Sequence, residues 1–121
     1  MQYLMLIYHA EADFDKIPAA EKGELYKAYV KFTQEIKDSG HYLGGNPLQP
    51  TPTATTVRVR NAKPVVTDGP FAETKEQLGG YYLVEAKDLD EALGIAARIP
   101  GVRHGSIEVR PIASMNQAAQ A

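Results

Sequence analysis

Tyr3-Leu4-Met5-Leu6-Ile7-Tyr8 is an unbroken apolar run of six residues. That is strand length, and a run without polar alternation predicts a central strand buried on both faces. What surrounds it decides the architecture. A polar stretch leads into Pro18 to Ser39, where Leu25, Tyr29, Phe32 and Ile36 recur at helical spacing on one face. Pro18 suits the first helical turn, and Gly40 suits the C-cap. A short strand is expected over His41 to Gly45. Pro47, Pro50 and Pro52 then forbid ordinary central-strand pairing from Asn46 to Thr53.

Thr55 to Arg60 alternates, with Val57 and Val59 on one side and Arg58 and Arg60 on the other. A turn at Asn61-Ala62-Lys63 returns the chain through Pro64 to Thr67, which makes a hairpin. Asp68 to Gly80 is a thirteen-residue connection, followed by a strand over Gly80 to Ala86. Asp88-Leu89-Asp90-Glu91 has the spacing of a capping box. It predicts a helix to about Arg98 that buries Leu89, Leu93, Ala96 and Ala97. Ser106 to Ile112 is the last strand, with Ile107 and Val109 inward.

The order is β-α-β, hairpin, β-α-β. With right-handed crossovers it gives a ferredoxin-like α+β fold, an antiparallel sheet with both helices on one face. Val57, Val59, Tyr82 and Val84 are the expected occupants of the other face. Such a face is commonly covered by a second copy, so a two-fold homodimer is expected. The first strand lies between its two antiparallel neighbours. Tyr8 and His9 are therefore expected beside Gly80-Tyr81 and His104 to Ser106, and His41 at the opposite end.

Composition narrows the function. The 121 residues form one domain over 1–112, with a small, polar, flexible tail over 113–121 expected. The chain has no Cys, which removes disulfides, a thiol nucleophile and thiolate metal sites. A net charge of −2 argues against a nucleic-acid partner. The apolar N-terminal run is too short to span a bilayer and lacks a basic leader, so no membrane association and a cytoplasmic location are expected. His9, His41 and His104 show no close ligand spacing, so no metal site is read from them. Gly79-Gly80 leads into a strand rather than a helix, so it is no phosphate loop. No cofactor motif is present.

The segment with the richest chemistry is Asp68-Gly69-Pro70-Phe71-Ala72-Glu73-Thr74-Lys75-Glu76-Gln77-Leu78-Gly79-Gly80. Asp-Gly-Pro fixes a sharp turn, Phe71 offers an apolar anchor, and Gly79-Gly80 permits close approach of backbone or ligand. With Val66-Thr67 before it and Tyr81-Tyr82 behind it, this segment resembles the signature of the YCII-related family, in its DGPF-type branch. Thr53 to Arg58, Ala86 to Ala92 and Ile107 to Ile112 extend the resemblance over nearly the whole chain.

The resemblance implies a ferredoxin-like fold that dimerises into an α+β barrel with an active-site cleft. It also implies an association with extracytoplasmic-function sigma factors. More distant relatives include a dehydrochlorinase, and the muconolactone isomerases share the architecture. The wider family has a suspected His–Asp acid/base pair, its Asp preceding a Pro near the end of the second helix. Here that position is Ile99-Pro100, so the Asp is missing.

Two readings follow. In the first, the protein is a cofactor-free small-molecule enzyme using general acid/base chemistry beside the Asp68 loop. Asp68 and His9 are the expected catalytic pair, because a carboxylate beside an imidazole can orient it or take a proton. Lys75, Glu73, Arg58, Tyr81 and His104 are the expected substrate-binding residues, and the cations among them favour a small anionic organic ligand. In the second, the protein is a non-catalytic dimeric module that binds a ligand or a protein, and Asp68 merely caps its own turn.

Overall fold

The computed structural model describes residues 1–114. Of the expected tail over 113–121, residues 115–121 lie outside the described residues. The strands are β1 (Gln2–His9), β2 (Tyr42–Pro47), β3 (Thr55–Arg60), β4 (Lys63–Asp68), β5 (Gln77–Glu85) and β6 (Gly105–Pro111). The helices are α1 (Glu11–Phe14), α2 (Ala19–Asp38) and α3 (Leu89–Ala96), with 3-10 turns at Thr51–Thr53 and Pro100–Arg103. Among the described residues no helix is long and apolar enough to cross a membrane.

Four strands form one antiparallel sheet in the order β2-β5-β1-β6. Two crossovers, β1-α2-β2 and β5-α3-β6, give this order its ferredoxin-like character. The expected neighbours of β1 are in place: His9 pairs with Gln77 on one side and Gly105 on the other. β2 is an edge strand, which is why it tolerates Pro47. The core is a single cluster between one sheet face and the helices. Tyr3, Met5, Ile7, Tyr82 and Val84 supply the sheet side, and Phe32, Ile36, Ala92, Ile95 and Ile99 the other. Ile107 and Val109 pack against it, as their alternation predicts.

Several expectations fail for identifiable reasons. β1 is tightly buried on one face only, since Leu4, Leu6 and Tyr8 remain partly exposed. Tyr82 and Val84, 8% and 0% exposed, point into the core rather than the free face. Pairing of Met5 with Tyr82 and Tyr3 with Val84 fixes that phase. Tyr81-Tyr82-Leu83-Val84 is apolar at every position, so no alternation could choose between faces. Val57 and Val59 are not on this sheet at all: β3 and β4 form a separate two-stranded hairpin.

α3 is rotated from its expected setting. Ala92, Ile95 and Ala96 are buried, whereas Leu89 and Leu93 are each 47% exposed and Ala97 is exposed as well. Two small alanines let the helix sit close to its neighbours, a preference that a count of large apolar residues misses. Asp88 caps α3 by accepting the Glu91 N–H at 2.9 Å. Glu91 returns its carboxylate to the Lys87 N–H and to His41 Nε2 instead of closing the capping box. His41 therefore lies at the far end from His9, as the topology requires.

Candidate functional site

His9 ends β1 on the same face as Ile7, Met5 and Tyr3. Opposite it the register of β5 slips: Ile7 pairs with Gly80 and Tyr8 with Leu78, so Gly79 is the extra residue of a bulge. Bulges re-aim a neighbouring side chain, and this one makes a seat for an imidazole. A Cβ on Gly79 would stand 2.4 Å from His9 Cε1 and 2.8 Å from Nδ1. Only glycine leaves the ring that space. The other side of the ring meets Phe14 of α1, with centroids 5.0 Å apart.

Beyond His9 a cleft-like cavity of about 850 Å³ runs beneath α2 toward the β2 edge. Phe14, Tyr26, Tyr29 and Tyr42 give it aromatic walls, and Pro47 at the end of β2 lines it with Pro50 and Pro52 of the segment that follows. Two ammonium groups sit on those rings. Lys22 Nζ lies 5.2 Å from the Phe14 centroid and Lys37 Nζ 5.0 Å from that of Tyr42. Glu11 fastens the proline-rich segment. Its carboxylate accepts both the N–H and the hydroxyl of Thr51, each at 3.0 Å, while its own N–H donates to Gln77 Oε1.

Deeper in, Tyr29 reaches from α2 to the 3-10 turn after α3. Its oxygen lies against Gly101, where a Cβ would stand 2.3 Å from it. Burial pushes the Tyr29 phenol up to about 12, partly offset by the Gly101 backbone. Tyr82 is raised too, by burial first, and its hydroxyl pairs with Thr33 Oγ1 at 2.7 Å. On the opposite sheet face Tyr8 donates to Glu108, which also holds Arg110 at 2.8 Å. Arg110 draws the Glu108 carboxyl below its ordinary value.

The residues singled out in the sequence divide into two groups. His9, Tyr81 and His104 line the cavity, and His9 and His104 also share a second hollow of about 100 Å³. Asp68, Glu73, Lys75 and Arg58 do not line it, and all four are exposed. Asp68 closes the hairpin by pairing with Thr55, and Gly69 turns beside it at φ +100°. Phe71, expected as an anchor, is 78% exposed. No ion pair joins Glu73 to Lys75 among the described residues. The end of the loop is tied near His9, through Ser106 donating to Glu76 Oε1 at 2.9 Å. Ile99 is wholly buried among apolar side chains, so that position is core here.

Sequence reasoning passed over Tyr29, Gly101 and Glu11. Tyr29 was legible only as one more member of a buried helical face. A phenol at an inward position, where Leu would pack as well, is the signal that could have found it.

The family model of the YCII-related domain matches residues 1–116. An uncharacterised protein of Rhizobium meliloti is 36% identical over 115 residues, covering 93% of each chain. Among solved structures, a 5-chloro-2-hydroxyhydroquinone dehydrochlorinase from Burkholderia phenoliruptrix, in complex with 2,5-dihydroxybenzoquinone, is similar with a TM-score of 0.52. The match covers 96% of this chain and 97% of that one at 15% identity. At that identity the likeness speaks for the mixed α+β fold alone.

Proposed function

The chain belongs to the YCII-related domain family, and from that premise we propose a small-molecule enzyme that works by general acid/base chemistry in the cavity beneath α2. His9 is its proton-transfer group. The observation that carries this reading is the seating of the His9 ring on the Gly79 bulge at the cavity wall. Histidine is the side chain best suited to move protons near neutral pH, and it must be held in place to do so. The cavity suggests the ligand. Aromatic walls favour a flat, largely apolar body, and the ammonium groups of Lys22 and Lys37 favour an anionic substituent. The dehydrochlorinase of similar fold holds a flat oxygenated ring, which is the same class of molecule.

The reading includes a homodimer. Leu4, Leu6 and Leu83 share the sheet face turned away from the helices and remain partly exposed. The hairpin leaves Val57, Val59, Val65 and Val66 exposed. A two-fold partner on that face would cover both surfaces. The exposed hairpin also favours the second reading, a non-catalytic module that docks a protein, with the sigma-factor link as its setting.

A panel of phenols and small organic acids, screened by ligand-observed NMR in D2O, separates the two. The enzyme reading expects binding together with deuterium exchange at a carbon-bound ligand proton that does not exchange without the protein. His9→Gln should abolish the exchange while keeping the binding. Binding without exchange in the unaltered protein favours the module. Sedimentation showing a monomer at micromolar concentration would remove the dimer.

A further inference from the structure

Resting on the reading of the cavity as a small-molecule site, we propose that the Tyr29 hydroxyl is the hydrogen-bond donor for a negatively charged oxygen of the ligand. The ligand is then a phenolate or an enolisable carbonyl compound.

The Tyr29 oxygen lies so close to Gly101 that any Cβ there would stand 2.3 Å away, so a glycine is needed for the phenol to reach the backbone. A phenol has one proton to give, and Tyr29 lines the cavity. Burial keeps the phenol protonated at neutral pH, so it acts as a donor and not as a base.

The spacing to His9 fits. Ile7 Cγ2 lies 3.4 Å from the point where a Cβ on Gly101 would stand. Ile7 and His9 are two residues apart on one face of β1, which is about 7 Å along a strand. The Tyr29 hydroxyl and the His9 imidazole therefore open onto the same cavity from neighbouring positions along β1. His9 takes the ligand's C–H or O–H proton, and the electron pair moves onto the ligand oxygen. Tyr29 holds that oxygen without losing its own proton. Return of the proton from His9 to a second ligand atom completes an isomerisation with no other reactant. A fixed donor aimed at developing charge is among the most effective catalytic devices known.

The test uses 4-nitrophenol, whose phenolate is coloured, beside nitrobenzene, which lacks the hydroxyl. The protein should bind 4-nitrophenol as the phenolate and lower its apparent pKa. Tyr29→Phe should weaken that binding by about tenfold or more and restore the probe's solution pKa. Nitrobenzene should bind both proteins alike. Equal 4-nitrophenol binding by Tyr29→Phe overturns the role of Tyr29 and leaves the cavity reading intact. Failure of the unaltered protein to bind either probe overturns both. Should Tyr29→Phe fold poorly, a crystal of the unaltered protein with 4-nitrophenol decides the matter. Its oxygen should meet the Tyr29 hydroxyl, and an oxygen placed elsewhere in the cavity overturns the inference.

Discussion

Gly69 and Gly79 stand ten residues apart in the same connection, and they serve opposite kinds of surface. Gly69 takes a positive φ at the mouth of an exposed hairpin, beside Asp68 and a Phe71 open to solvent. Gly79 forms a bulge under the His9 ring, at the wall of the cavity. The first region is the conspicuous one in sequence, dense in turn residues and charge. The second has almost no local signature, yet it is where a ligand can be enclosed. Chemically rich sequence marks what is fixed locally, whereas a cavity is made by residues distant in the chain.

The contrast can be broken by mutation, beginning with packing. Ile36→Ala removes a wholly buried side chain and should cost about 2–5 kcal/mol in urea unfolding. Val66→Ala in the exposed hairpin should stay within about 0.5 kcal/mol for the isolated subunit. A large loss there would mean that the hairpin is covered in solution, which sharpens the case for a dimer.

Gly101→Ala should cost about 1–3 kcal/mol, because its methyl group collides with the Tyr29 hydroxyl. The same experiment should show Tyr29→Phe, Gly101→Ala recovering most of that loss.

High pH should act most strongly on the cavity region, where Tyr29 and Tyr82 are raised by burial, with Tyr8 on the other sheet face raised as well. The Tyr29 phenol titrates at about 12 in the folded chain against an ordinary value of 10.0. The unfolded chain therefore loses this proton first. The associated stability is complete below pH 10 and is lost as pH rises toward 12. After allowance for partial exposure it amounts to roughly 1–2 kcal/mol. Melting curves between pH 9 and 12 should flatten in Tyr29→Phe, and an unchanged slope would contradict the assignment.

The smallest effect belongs to the hairpin tip. Asn61 and Ala62 both have positive φ, 53° and 61°, as a two-residue hairpin turn requires. Ala62→Gly should relieve about 0.5–1 kcal/mol, read as slower amide exchange in β3 and β4. Exchange in β1 should not change.

Periodicity and turn chemistry carried most of the fold. The apolar run of β1, the helical spacing in α2 and the hairpin each followed from local pattern, and the crossovers then placed His9 beside β5 and β6. Faces were harder. Tyr81 to Val84 are apolar on both sides and α3 has a broad apolar arc, so only pairing with Met5 and the approach of Ala92 and Ala96 decide which residues are buried. The candidate site was half legible. His9 and the need for close approach at Gly79-Gly80 could be read from order and residue type. The contact of Tyr29 with Gly101 joins segments 72 residues apart in sequence, and no local pattern encodes it.

A ligand of this protein should bind in the cavity beside His9 and not at the Asp68 turn. The direct test is a titration with 4-nitrophenol followed by amide and imidazole NMR in the unaltered protein, His9→Gln and Asp68→Asn. Shifts are expected at His9, Gly79, Tyr29 and Gly101, altered in His9→Gln and unchanged in Asp68→Asn. Shifts confined to residues 68–75, lost in Asp68→Asn and indifferent to His9, would contradict binding in the cavity.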